Sequence, residues 1–182
     1  MFFWVVTCVG IALLAFLAVT FNDLVAARNR VRARWADIDV QLQRRHDLVP
    51  QLSATVAAYA DFERKTLTAV AEARSRALAA TGVGHRAQVE NQLAQQLARF
   101  VAVAENYPDL KANANFSKLQ DELVEIEDRL QDARTAYNEA VQVFNTQIAN
   151  FPQLLVARPF GFVAQDYFQA ETRATGLNTA AG

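Results

Sequence analysis

The chain has 182 residues, 52% of them apolar, with a formal net charge of −1 and a single cysteine. That length leaves room for one domain plus an anchor. The near-neutral charge excludes a whole-domain nucleic-acid binder, and one cysteine excludes a disulfide framework or a thiolate metal cluster.

Residues 2–21 (FFWVVTCVGIALLAFLAVTF) contain no charged side chain. Twenty helical residues match a hydrocarbon core of about 30 Å. A secretory signal peptide is the rival reading, but no Lys or Arg precedes the run. The run is also longer than a usual signal core, and Leu17, Ala18 and Val19 make a poor cleavage exit. A buried soluble helix of this length would carry some charged side chain. The segment is therefore read as a retained, single-pass transmembrane helix.

Arg28, Arg30, Arg32 and Arg34 follow the run, with Asp23 the one acid among them. The Lys/Arg bias predicts an outward N-terminus and a mostly cytoplasmic chain. At 100° per residue, Arg28 and Arg32 share one flank and Arg30 and Arg34 the other. Arg28 is roughly 10 Å along the helix from the membrane exit and Arg34 roughly 20 Å. With a Debye length of about 8 Å, the inner two arginines of this collar can gain about 1 kcal/mol each from the anionic leaflet. The outer two are assigned to the bundle.

The helix continues through the stripe Leu24, Val31, Trp35, Ile38 and Leu42. Pro50 disfavours helical geometry at Val49 and suits a first turn, so a junction is expected at residues 46–50. A second helix carries Leu52, Val56, Tyr59, Phe62, Leu67, Val70 and Ala77. Thr81, Gly82, Val83 and Gly84 form a turn. The third helix presents Leu93, Leu97, Phe100, Ala104 and Tyr107, and a linker follows from Pro108 to Asn115.

The longest element is expected over residues 116–151, about 54 Å of helix. Every seventh residue is apolar: Phe116, Leu123, Leu130, Tyr137, Phe144, Phe151. A second column runs through Leu119, Ile126, Ala133 and Ala140. It then passes to Val141 and Ile148, the drift of a 3.6-residue helix against a heptad. The alanines imply a close backbone approach, and Ser117 with Gln120 offers a capping box. The fold class that follows is all-α: one transmembrane helix continuing into an elongated antiparallel bundle of about four long helices. The divisions are an anchor at 1–21, the bundle at 22–168 and a polar, disordered tail at 169–182. The apolar residues at 159–162 and 167–168 either cover one end of the core or enter a partner's groove.

Neither histidine has metal-pair spacing. A Glu-x-x-His site is absent, since Gln43 and Gly82 stand three residues before His46 and His85. Gly82-x-Gly84 lacks the Gly-Lys-Ser/Thr of a phosphate loop. Arg44, Arg45, His46 and Asp47 allow two readings. They form an anion or partner site where Pro50 opens a helix, or Asp47 caps while the arginines pair with acids on other helices. Asp39 borders the buried stripe and is expected to pair with an arginine such as Arg74 or Arg134. The acids Asp121, Glu122, Glu125, Glu127 and Asp128 form a solvated face or pair with a basic surface.

Several blocks resemble the LemA family: Asn22-Asp23-Leu24-Val25, Trp35 through Leu42, and Arg44-Arg45-His46-Asp47-Leu48-Val49-Pro50. So do Glu105-Asn106-Tyr107-Pro108-Asp109-Leu110, Tyr137-Asn138 and the Pro-Phe-Gly-Phe at 159–162. Phe21 departs from the pattern, where Tyr is expected. The resemblance implies a small bacterial membrane protein with a cytoplasmic long-helix bundle and no assigned reaction. The expected function is a non-enzymatic scaffold or interaction protein. It would have no cofactor, metal, nucleic acid or small-molecule substrate, and would form homo-oligomers or dock a membrane-protein partner. The alternative is an accessory or adapter subunit of a specific membrane complex. On either reading, no buried cluster of His, Glu or Asp is expected.

Overall fold

The computed structural model describes residues 1–57 and 63–168. Tyr59, Phe62 and the tail at 169–182 lie outside the described residues. The elements are α1 (Phe2–Ala57), α2 (Arg64–Ala79), α3 (Val83–Ala104), α4 (Pro108–Lys111), α5 (Ala114–Ala149) and α6 (Leu154–Ala157). The protein is all-α, with no strand among the described residues.

α1 holds 56 residues. Its N-terminal part is long and apolar enough to cross a membrane, and residues 1–19 are all exposed. The junction expected at residues 46–50 is not there: Pro50 sits inside the helix. A proline in a helix interior removes the N–H that would serve the carbonyl four residues back. Here that carbonyl belongs to His46, and Arg74 Nε donates to it at 2.7 Å. The helix can therefore run on to Ala57.

α5 has the expected 36 residues but is shifted two residues toward the N-terminus. The shift follows from its start. Asn113 Oδ1 accepts from the N–H groups of Asn115 at 2.9 Å and Phe116 at 3.3 Å. Asn113 is the cap, and Ser117 and Gln120 lie within the helix, so the expected capping box is not formed. At the other end Phe151 falls in a turn beyond the helix and is 78% exposed, so it is not part of the seam. α4 occupies the expected linker, with Pro108 in its first turn. Gly82 precedes α3 at φ 79°, a conformation that glycine adopts without steric cost.

The chain divides into two compact units. The first comprises Met1–Val40 and Gln131–Asp166. In it the α1 and α5 segments run antiparallel: Trp35 meets Tyr137 edge-on at 5.4 Å, while Phe162 lies 5.8 Å from Phe21 and 6.4 Å from Phe144. Leu24, Ala27, Val31, Ile38, Val141 and Phe144 fill the core. The segment after α6 is tied down by polar contacts. Asn145 donates to the Gln165 carbonyl at 2.9 Å and accepts from its N–H at 2.8 Å. Tyr137 donates its hydroxyl to the Asp166 carbonyl at 2.8 Å. Of the apolar tail residues, Phe162 and Phe168 are buried, whereas Phe160 and Tyr167 are exposed.

The second unit comprises the described residues of Gln41–Leu130, with Tyr167 and Phe168. Its core joins Leu48, Leu52 and Val56 of α1 with Val70 and Ala77 of α2. Leu93, Leu97 and Phe100 of α3 and Phe116, Leu123 and Ile126 of α5 complete it. Each fully buried Leu, Ile or Phe contributes about 1.5–3 kcal/mol.

Candidate functional site

Within the second unit, the α1 stripe that carries Leu42, Leu48 and Leu52 also carries Arg45 and His46. Arg45 is 0% exposed, His46 2% and Glu90 of α3 0%. Arg45 Nη2 pairs with Glu90 Oε2 and donates to the Glu90 carbonyl at 3.2 Å. Arg45 Nη1 reaches Glu127 Oε1 of α5 at 2.7 Å. The second Glu90 oxygen lies 2.9 Å from His46 Nε2. Burial pushes the Glu90 carboxyl up, but the His46 hydrogen bond and the Arg45 charge together outweigh it. They hold the group below its ordinary value.

The expectation of no buried His, Glu or Asp cluster is thereby overturned, as is the helix-junction placement of residues 44–47. All four stand in mid-helix. Arg44 and Asp47 face outward. Asp47 accepts from Gln43 Nε2 at 2.8 Å and does not cap. Of the two readings, Arg45 follows the one that pairs it with acids on other helices. Arg74, named as a partner for Asp39, donates its Nε–H to His46. Glu90 escaped the sequence reading, although it stands three residues before Leu93 on the apolar stripe of α3.

The centre of this cluster is shut off from solvent, although Arg45 Nε has no hydrogen-bond partner and Glu127 is 36% exposed. Both Glu90 oxygens are engaged, and the three central side chains have almost no contact with solvent. Removing one partner from such a set leaves an uncompensated buried charge, so it fixes register. His85 is exposed in the first turn of α3. Among the described residues, no three His, Cys, Asp or Glu side chains are placed to hold a metal ion.

The basic collar lies in the first unit. Arg28, expected at the lipid, is half-buried with its guanidinium 5.1 Å above the Phe162 ring. Arg30 and Arg32 are exposed. Arg34 pairs with Asp37 at 3.3 Å, both of them more than half exposed, so the pair stabilises little. On α5, Phe116, Leu123, Leu130, Tyr137 and Phe144 are buried. Asp121, Glu122, Glu125 and Asp128 are exposed, and Glu127 alone among these acids turns toward Arg45.

Each unit carries an open groove. In the first, Arg30, Ala33, Arg34, Ala136, Glu139 and Ala140 line about 360 Å³. Ala140 of α5 and Ala33 of α1 both line it. In the second, Leu97, Ala98, Val101, Glu105, Val124 and Asp128 line about 500 Å³. Glu127 is the member of the buried cluster that reaches this groove.

Residues 34–179 match the profile of the LemA family. The chain is 25% identical over 185 residues to magnetosome protein MamQ 2 of Paramagnetospirillum magneticum, covering 87% of this chain and 68% of that protein. It is 22% identical over 184 residues to magnetosome protein MamQ of Magnetospirillum gryphiswaldense, with the same coverages of 87% and 68%. Protein LemA of Metamycoplasma hominis is 26% identical over 151 residues, covering 82% of this chain and 68% of that protein. With a family match that takes in α5, the part of α1 from Arg34 on and the whole buried Arg45–Glu90 cluster, this chain belongs to the LemA family.

Proposed function

We propose that the chain is a membrane-anchored, non-enzymatic helical scaffold on the cytoplasmic face of a bacterial inner membrane. The observation that carries this is the closure of its buried ionisable cluster. A catalytic group must reach substrate, and an active site needs convergent polar groups in a concavity. Arg45, His46 and Glu90 instead pair with one another out of solvent. What the fold offers to the outside is two open grooves floored largely by alanine and other apolar side chains. Such surfaces suit helix-on-helix contacts with a second copy or a membrane-protein partner. The arginines after residue 21 support the cytoplasmic orientation.

Crosslinking in native membranes, followed by capture of the full chain, tests this. A ladder of self-contacts or several partners is the expected result. One dominant foreign partner would favour the accessory-subunit reading. A turnover by the purified chain that Glu90→Gln abolishes without unfolding it would overturn the non-enzymatic assignment.

A further inference from the structure

The geometry of the first unit points to a second membrane contact. We propose that the turn after α5 dips Phe151, Leu155, Phe160 and Val163 into the lipid headgroup region beside the exit of α1. The inference rests on the reading that residues 2–21 span a membrane.

Register places the turn. Trp35 lies against Tyr137, and antiparallel helices rise equally per residue. Ala149, twelve residues after Tyr137, is therefore level with Asp23, twelve before Trp35. The turn that follows begins at the last residue of the uncharged run. The rings agree with this, for Phe160 packs on Phe21 at 5.0 Å. Coverage even reaches into the run. Thr20 is 6% exposed, Leu17 37% and Phe16 40%, against 68% at Leu14.

At that level the turn exposes large apolar side chains: Phe151 78%, Leu155 62%, Phe160 61% and Val163 66%. Facing water, so much apolar surface on a short turn would be a liability. Facing the headgroup boundary, it is what an interfacial segment needs. The charge pattern agrees. From Ala140 to Gln165 there is no Asp or Glu, and the single charged residue is Arg158. Arg158 is exposed and can extend its guanidinium to lipid phosphates. The occupant is thus the same bilayer that holds α1, because the surface is continuous with the exit of the apolar run. Gly161, at φ 69°, turns the chain so that Phe162 goes inward while its two neighbours stay out.

The test uses the full chain in phosphatidylcholine–phosphatidylglycerol vesicles, with a nitroxide on one cysteine at a time. Leu155→Cys and Val163→Cys, each with Cys8→Ser, report on the turn. Leu78→Cys, at a site 50% exposed in the second unit and outside both grooves, is the aqueous control. The native Cys8 reports on the span. All three introduced sites are exposed, so a label displaces no packing. The ratio of oxygen to nickel-chelate collision rates should be about threefold or more higher at residues 155 and 163 than at residue 78. Ratios equal to that of residue 78, with Cys8 in hydrocarbon, would overturn the second contact and leave the span intact. If Cys8 also matches residue 78, the membrane reading itself fails. Loss of access to both reagents at residues 155 and 163 would mean that protein, a second copy or another chain, covers the turn, and would likewise overturn the proposal.

Discussion

At Glu90 two pressures act in opposite directions, and the partners prevail. Because its pKa is lowered in the fold, the unfolded chain binds more protons over the interval between the two values. The resulting stability is present above the ordinary value of 4.5 and is lost as pH falls through the folded value. Glu90→Gln should cost roughly 3 kcal/mol at neutral pH, since Arg45 stays buried with only Glu127 to balance it. Urea unfolding should also show a shallower acid limb than in the parent chain. Tyr137 has the opposite sign. Burial, with the nearby Asp166 carboxylate adding to it, pushes its phenol up from 10.0 to about 12. The neutral form is favoured, so this stability holds below 10 and is lost as pH rises toward 12. Tyr137→Phe should remove that alkaline loss and cost about 1 kcal/mol at pH 7 through the hydrogen bond to Asp166. The participants at these sites were individually visible, but their pairings were not. Arg45 meets Glu127 across 82 residues and Glu90 across 45, and no spacing rule reaches that far. A usable signal did exist, since Arg45 and Glu90 each interrupt an apolar stripe.

Among the elements, periodicity served well where one face is wet and failed where a distant side chain intervened. The column from Phe116 to Phe144 and the stripe from Leu24 to Leu42 were readable because 3.6-residue spacing is a local property. Pro50 misled because the rule for proline assumes that the freed carbonyl stays unsatisfied. Arg74 supplies that donor from 28 residues away. A double-mutant cycle can isolate this contact. Arg74→Met in the parent chain should cost about 1–3 kcal/mol by stranding the His46 carbonyl. In a Pro50→Ala background the restored amide can serve that carbonyl, and the same change should cost about 1 kcal/mol less. Equal costs in the two backgrounds, measured by denaturant unfolding, would show that Arg74 is not what permits the proline. Phe151 was misplaced by a similar locality. The heptad continues through it, but the helix that would give it a buried face has ended at Ala149.

For the molecule as a whole, the orientation proposed in the membrane hangs on four arginines. In a Cys8→Ser chain, Ala181→Cys should resist an impermeant thiol reagent in intact cells and react after lysis. Replacing Arg28, Arg30, Arg32 and Arg34 together by Ser should make a fraction of the chains reactive in intact cells, because these four supply the positive flank of the apolar run. Unlike that orientation, the mechanical character of the anchor follows from one structural feature, the unbroken passage of α1 from residue 2 through residue 40. No flexible linker separates the apolar run from the helix that bears Leu24, Val31 and Ile38. The proposed span is consequently a lever. A bilayer that thins or thickens changes the tilt of a spanning helix. Over the nineteen residues from Phe21 to Val40, roughly 29 Å of helix, a tilt of about 10° displaces the far end sideways by about 5 Å. Whatever docks near Trp35 would then feel membrane thickness as a change of position.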